Sequence, residues 1–240
     1  MSALERWSRG VVAVGVRRHD GAAPAVIGTG FFVDVSGTIV TAAHVIFDIG
    51  GSARQDPATY VHPGDPDNAE VAIGLGDPLT WHFVANVRQI SYTTRSHPET
   101  RLGGYAEGRS DPDGLDLAVL QLVGYLVPEA RADAAPLDVP VLDAMGNPIV
   151  AVPLAEPATL HRDHYLALVG YGFADNMTSS RNHLTNTQGV YSGTQVDDRG
   201  SEWIKTDAAM LGGHSGQNPA GRQTLHTNPC FHTLNSHRLP

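Results

Sequence analysis

One serine near the end of the chain lies in a turn that is rich in glycine. Ser215 is preceded by Gly212, Gly213 and His214 and is followed by Gly216. Glycine adopts backbone angles that other residues avoid, so such a turn can direct successive N–H groups at one point and expose the hydroxyl beside them. Acyl transfer needs this arrangement, a nucleophile next to donors for the developing oxyanion. Glycine-serine turns are also common structural turns, so the interpretation depends on partners elsewhere in the chain.

Two further residues have the types that complete this chemistry. His44 follows an apolar, strand-like run, and Asp116 stands at the start of another. Histidine can accept the serine proton, and a carboxylate can hold the imidazole in the right tautomer and stabilise its charged form. Taken singly, His44 is more simply interpreted as a histidine of the core, and Asp116 as an acidic residue in a turn or cap. Together with Ser215 they make a catalytic set, in which the N–H groups of Gly213 and Ser215 hold the oxyanion.

The composition favours a protein with many turns and excludes several function classes. The chain has 240 residues, of which 41% are hydrophobic and 17% charged, and it contains 26 Gly and 16 Pro. The net charge of -9 and the lack of a basic patch argue against nucleic acid and acidic membrane surfaces as partners. No run approaches the ~18 apolar residues of a spanning helix. The first ten residues do not resemble a secretion signal, so we expect a cytoplasmic location.

Short apolar runs rich in β-branched residues recur along the chain and predict strands. The predicted strands are 11–16, 28–34, 37–41, 71–74, 81–92, 115–122, 165–172, 187–196 and 203–206. Residues 42–46 are expected to form one helical turn around His44. Trp81, Phe83 and Val87 are expected to face the core. With almost no helical periodicity, this spacing favours an all-β barrel or sandwich.

Three segments resemble the trypsin/chymotrypsin-like serine peptidases. They are GTGFFVDVSGTIVTAAHVI around His44, LDLAVLQL around Asp116 and IKTDAAMLGGHSG around Ser215. The order His, Asp, Ser is that of the family's triad. The third segment, with ALVGYG and TQGVYSG, is most like the bacterial heat-shock-type (HtrA/DegP-like) branch, which implies a bacterial-type protein. The resemblance covers roughly residues 10 to 216. The fold it implies is two packed antiparallel six-stranded barrels, with the triad in the cleft between them.

On this basis we divide the chain into an N-terminal barrel (1–125) that carries His44 and Asp116, a linker (126–138), and a C-terminal barrel (139–240) that carries Ser215. The resemblance implies a serine endopeptidase acting on a polypeptide substrate. Ser215 would attack the peptide carbonyl, His44 would transfer the proton and Asp116 would orient His44. In the family the residue six before the serine lies at the base of the specificity pocket. Here it is Ala209, which implies a small or medium apolar residue at the cleaved position instead of Arg or Lys.

The tail, residues 217–240, departs from the family pattern. It contains no Val, Ile, Tyr or Trp, although strands favour β-branched and aromatic residues and the family closes its second barrel here. Either the tail is an unusual closure, or the end is truncated or out of frame. We favour the second account, which leaves the second barrel incomplete and the chain poorly stable or poorly active. The alternative functions are an inactive or truncated trypsin-like domain that binds a partner protein, and an esterase-like hydrolase.

No cofactor or metal site is predicted. Cys230 is the single cysteine, so no disulfide can form within the chain. The histidines at 161–164 and 226–237 lack the close pair and third ligand of a recognisable metal site. No phosphate loop or dinucleotide fingerprint leads from a strand into a helix.

Overall fold

A computed structural model describes residues 2–18, 23–42, 45–46, 69–91, 117–126, 137–143, 145–154, 161, 164–171, 183–196, 202–208 and 231–234. These ranges contain a short helix and ten strands. In chain order they are α1 (Ala3–Ser8), β1 (Val11–Arg18), β2 (Ala25–Phe32), β3 (Thr38–Ala42), β4 (Ala69–Leu75), β5 (Thr80–Ser91), β6 (Leu117–Tyr125), β7 (Tyr165–Gly170), β8 (Thr185–Val196), β9 (Glu202–Thr206) and β10 (Phe231–Leu234). The predicted all-β class is confirmed.

The first six strands close into an antiparallel barrel in the order β1-β2-β3-β6-β5-β4. β6 shows why the sequence favours this structure. Its residues alternate between partly buried and buried along the strand, because successive side chains of a strand point to opposite faces. Leu120 is fully buried in the barrel interior, where it packs with Val12, Val14, Phe32, Ile39, Ile73 and Phe83. Closure pairs every barrel strand on both sides, so the barrel has no free edge.

The second sheet has four strands in the order β10-β7-β8-β9 and stays open within the described ranges. One of its strands, β10, lies in the tail that the composition marks as unlike a strand. Phe231 pairs with Leu168 and Leu234 with Tyr165, both on β7. Here the expectation from composition is wrong, because the backbone groups of an unpaired β7 edge can bond a neighbouring chain whatever its side chains are. Within the described residues the sheet is nevertheless partial, in agreement with the expected incomplete second barrel.

The helix α1 was not predicted, although the sequence carries its signal. The Ser2 hydroxyl accepts a bond from the Glu5 N–H at 3.2 Å, and the Ser2 N–H donates to the Glu5 carboxylate at 2.5 Å. Ser-x-x-Glu is a capping box, which marks a helix start. Within the described residues, no helix combines the length and the apolar character needed to cross a membrane.

Trp81 does not share the core that Phe83 and Val87 face. Phe83 is fully buried in the barrel interior and Val87 packs against the same cluster. Trp81 packs instead on a second cluster formed by Val11, Ala13, Ala167, Val169 and Tyr171, which joins the barrel to the second sheet. The cause is a bulge. Ile73 pairs with Phe83 but Gly74 pairs with Trp81, so His82 is an extra residue that reverses the alternation of side chains.

The turn between β2 and β3 is held by one carboxylate. Asp34 Oδ1 accepts bonds from the Ser36 N–H (2.9 Å), the Ser36 hydroxyl (2.7 Å) and the Thr38 N–H (3.0 Å). Burial acts to raise the pKa of Asp34, but the hydrogen bonds from Thr38 and Ser36 outweigh it and leave the pKa below its ordinary value of 3.8. The turn therefore favours the charged carboxylate, and it sets the start of the strand that leads to His44.

We expect Asp34→Asn to lower the free energy of unfolding at neutral pH by about 1 kcal/mol, because a charged acceptor of three bonds becomes a neutral one. Since the folded-state pKa is depressed, the contribution of Asp34 is present above 3.8 and is lost as the pH falls through the folded pKa. Urea unfolding at neutral and acid pH measures this. The difference between wild type and variant should shrink in acid. The control Asp138→Asn, at an exposed position, should change stability at neutral pH by less than about 0.5 kcal/mol. A difference that stays constant with pH would contradict the assignment.

Candidate active site

The end of β3 lies beside the start of β6. Ala42 and Leu117 form the last pair of the ladder that joins these strands. In the sequence, His44 follows Ala42 by two positions and Asp116 directly precedes Leu117. Both predicted residues lie outside the described ranges, so their side-chain geometry stays a prediction. The strands that lead to them are immediate neighbours, at the spacing of about 4.8 Å typical of paired strands.

The residues just after His44 are anchored in the barrel. Of the predicted helical turn 42–46, Val45 and Ile46 are helical, whereas Ala42 belongs to β3. Val45 and Ile46 are 2% and 0% exposed. A Cβ added at Gly28 on β2 would lie 2.6 Å from both methyl carbons of Val45. Only glycine therefore leaves room for Val45 at this position. Gly28, the first glycine of the GTGFF segment, thus helps to fix the chain next to the candidate histidine.

The chain beyond β9, which continues in the sequence to Ser215, is held against β8. Asp207 Oδ1 accepts a bond from the Val190 N–H at 2.5 Å, and the Ala208 N–H donates to Thr206 Oγ1 at 3.1 Å. Ala208 is only 1% exposed. A Cβ added at Gly189 would overlap the backbone nitrogen of Ala208, so the two segments touch backbone to backbone. This contact positions the start of the segment that continues to Ser215.

Hydrogen bonds join the barrel to the second half of the chain, which contains the second sheet. The residues that make them, together with Thr41, form what we call the junction: Thr29, Thr41, Tyr171 and Gly76. The Thr41 hydroxyl donates to the Thr29 carbonyl at 2.8 Å, and the Tyr171 N–H donates to Thr29 Oγ1 at 2.9 Å. The Tyr171 hydroxyl donates to the Gly76 carbonyl at 2.8 Å. Thr41 stands three positions before His44 in the sequence. The strand that leads to the candidate base is therefore bonded, through Thr29, to the second half.

The charge state of Tyr171 is fixed by its surroundings. Burial raises the pKa of its hydroxyl well above the ordinary value of 10.0, the charge of Asp77 raises it further, and the bond to the Gly76 carbonyl opposes these effects more weakly. The raised pKa keeps the hydroxyl a neutral donor in the physiological pH range. The bond across the junction does not depend on pH in the physiological range.

A pocket of about 570 Å³ opens among different elements of the fold. It lies between the end of α1, the β4–β5 turn and residues 143–150, with Arg9, Asp77, His82 and Asp143 on its wall. Burial lowers the pKa of His82, and the negative charge of Asp143 opposes this. None of the described residues next to His44, Asp116 or Ser215 lines this pocket. Within the described ranges, no three His, Cys, Asp or Glu side chains gather closely enough to hold a metal ion.

The sequence also matches a known family over most of its length. The family model for the trypsin-like peptidase domain matches residues 28–216, which is more than half of the chain. The chain belongs to the trypsin-like peptidase family. The matched span contains the barrel strands from β2 onwards and all three predicted triad positions.

The solved structure of an HtrA-type protease resembles this chain in fold. The HtrA-type protease AlgW, solved with a decapeptide, is 16% identical over 89% of this chain and 53% of that chain, with a TM-score of 0.50. The chain thus spans about half the length of the AlgW chain. The structure of Deg5 is 22% identical over 89% of this chain and 74% of that chain, with a TM-score of 0.48. No curated protein matches the sequence.

The predicted site residues of this trypsin-like peptidase all fall outside the described ranges: His44, Asp116, Ser215, Gly213 and Ala209. The structure describes the strands that precede or follow these positions in the sequence. The junction residues Thr29 and Tyr171 were not singled out from the sequence. The available signal is a hydroxyl residue between two glycines in an otherwise apolar strand, since such a residue needs a hydrogen-bond partner when buried.

We expect Gly189→Ala to lower the free energy of unfolding by about 2 kcal/mol, because the new methyl group overlaps backbone that cannot move aside without breaking the Asp207 and Ala208 bonds. Urea unfolding at neutral pH measures the change. The control is Gln188→Ala, at the exposed neighbouring position on the same strand, which should change stability by less than about 0.5 kcal/mol. If both variants unfold at the same urea concentration, β8 and the segment after β9 do not touch as described.

Proposed function

We propose that this chain is a serine endopeptidase in which Ser215 is the nucleophile, His44 the general base and acid, and Asp116 the carboxylate that orients His44. The observation that carries the proposal is the pairing of Ala42 with Leu117. It brings together the strand ends next to His44 and Asp116, which lie far apart in the sequence. The family match, which includes all three positions, supports the same roles.

The proposed reaction has two halves. The Ser215 hydroxyl forms a bond to the peptide carbonyl carbon while His44 takes its proton, and the N–H groups of Gly213 and Ser215 hold the resulting oxyanion. Collapse of this intermediate breaks the C–N bond, and His44 gives the proton to the leaving amine. A water molecule, deprotonated by His44, then attacks the carbonyl carbon of the acyl-enzyme ester. Collapse of this second intermediate breaks the bond to Ser215 Oγ, His44 returns the proton to that oxygen, and the acid is released. The carboxylate of Asp116 stabilises the imidazolium at each of these proton transfers.

The proposed substrate is a polypeptide with a small or medium apolar residue on the amino side of the cleaved bond. Ala209, at the base of the proposed pocket, has no charge to pair with Arg or Lys. Its neighbour Ala208 is held by a hydrogen bond to Thr206 and is buried. The hydrogen bond and the burial of Ala208 fix the backbone directly before Ala209.

A second candidate function is an inactive trypsin-like domain that binds a partner protein. It is favoured by the tail, which contains no Val, Ile, Tyr or Trp, and by the open second sheet of the described residues. The strand β10 favours the enzyme instead, because part of the tail pairs with β7. The two functions differ in one property, the reactivity of Ser215.

We expect Ser215→Ala to lower peptidase turnover by on the order of 10⁴-fold or more, because the nucleophile is lost while the fold is kept. A fluorophosphonate probe followed by mass-spectrometric mapping should label Ser215 in the wild type and not in the variant. The control Ser192→Ala, which removes an exposed serine of β8, should keep full activity and labelling. A folded wild-type protein that takes up no probe at Ser215 would instead favour the binding module.

We expect peptides with Ala or Val before the cleaved bond to be hydrolysed at least tenfold faster than matched peptides with Arg, because a small uncharged pocket base leaves a buried guanidinium unpaired. The measurement is kcat/KM over a peptide series that differs only at this position. Preference for Arg or Lys would show that another residue forms the pocket base. Hydrolysis of chromogenic esters without hydrolysis of any peptide would favour an esterase.

A further inference from the structure

Thr29 is bonded to both halves of the chain at once. Its carbonyl accepts from the Thr41 hydroxyl on β3, and its own hydroxyl accepts from the Tyr171 N–H just after β7. One residue of β2 therefore holds the strand that precedes His44 and the end of a strand in the second sheet. Within the described residues, this is a continuous hydrogen-bonded path between the two halves.

The path is closed to water. Thr41 and Tyr171 are 0% exposed and Thr29 is 4% exposed. A water molecule cannot replace a bond that is removed here, and the Tyr171 N–H would be left buried without its partner. The apolar contacts beside this path lack direction, since they join Val11 and Ala13 of β1 to Ala167 and Val169 of β7. Two further polar contacts between the halves run from Tyr171 and His183 to the β4–β5 turn, so they do not reach β2 or β3. The Thr29 bonds are directional, so they select one placement of the two halves.

A triad divided between two halves needs such a fixed placement. In the proposed enzyme, His44 follows β3 and Ser215 follows β9, so their distance depends on how the barrel sits against the second sheet. Catalytic groups must be held within about 0.5 Å of the productive geometry. A displacement of about 1 Å, even when it arises far from the reacting atoms, lowers the rate by about 10²-fold.

We propose that Thr29 is a positioning residue for the peptidase reaction, which it serves by bonding the histidine-bearing strand to the second sheet through its carbonyl and hydroxyl. It touches no reacting atom and acts through Thr41 and Tyr171. The proposal rests on the proposed function. It adds a residue that the triad does not include and that ordinary substrate contacts would not reveal.

The test is the steady-state kinetics of four proteins on one peptide substrate, at a temperature where circular dichroism shows each to be folded. Thr29→Val keeps the shape of the side chain and removes the acceptor for the Tyr171 N–H. We expect its kcat to fall by about 10- to 100-fold while KM changes by less than about threefold, because misplaced catalytic groups slow chemistry more than binding. Thr29→Ser restores the hydroxyl and should return kcat to within about threefold of wild type.

Thr185→Val is the matched control. Like the Thr29 hydroxyl, the Thr185 hydroxyl bonds a backbone group. It donates to the Gly170 carbonyl at 2.8 Å, and this bond stays within the second sheet. Its loss should lower the melting temperature while leaving kcat within about threefold of wild type. A merely structural role for Thr29 would make Thr29→Val behave like this control, and that result would overturn the proposal.

Two further measurements keep the outcomes separate. If Thr29→Val does not fold, Thr41→Val removes only the bond on the histidine side and must then show the same loss of kcat. An unchanged kcat in that variant overturns the proposal. The rate of fluorophosphonate labelling at Ser215 separates this proposal from the proposed function. A labelled wild type with an equally fast Thr29→Val overturns the role of Thr29 alone, whereas an unlabelled wild type overturns the peptidase function and the role with it.

Discussion

The rest of the structure depends on how polar groups are satisfied where the two halves meet. Tyr171 is completely buried, so both its N–H and its hydroxyl need partners inside the protein. The barrel provides both, the Thr29 hydroxyl and the Gly76 carbonyl. Apolar contacts alone would tolerate sliding between the halves, because burial of apolar surface has no preferred direction. The two donors of Tyr171 convert that contact into one defined arrangement.

Close packing next to the candidate residues depends on missing side chains as much as on those present. Gly28 makes room for Val45 immediately after His44, and Gly189 lets the backbone of Ala208 approach β8. Each glycine lies on a strand of one half and makes room for a segment that precedes or follows a proposed catalytic residue in the sequence. The scaffold of the site is thus formed by contacts that a motif centred on His, Asp and Ser does not contain.

The strands were predictable because their β-branched residues and alternation are local properties. Three features of the structure were not predicted from the sequence. Trp81 lies on the opposite face because the bulge at His82 is a property of strand pairing and leaves no mark on the pattern of apolar residues. β10 is a strand because β7 pairs with it through the backbone. Helix α1 is too short for periodicity to show, although its capping box is readable. The motifs also predict His44, Asp116 and Ser215, whereas the role of Thr29 appears only when distant strands are brought together.

The ring of six strands has a consequence for how the protein is made. β3 pairs with β2, its neighbour in the sequence, and on its other side with β6, whose first residue is Leu117. A ribosome that has translated only as far as β5 therefore carries a nascent chain in which one edge of β3 is still bare. Long-range pairings of this kind form slowly, because the intervening chain must first be drawn into a loop. During that interval the bare edge of β3 is open to pairing with strands of other molecules.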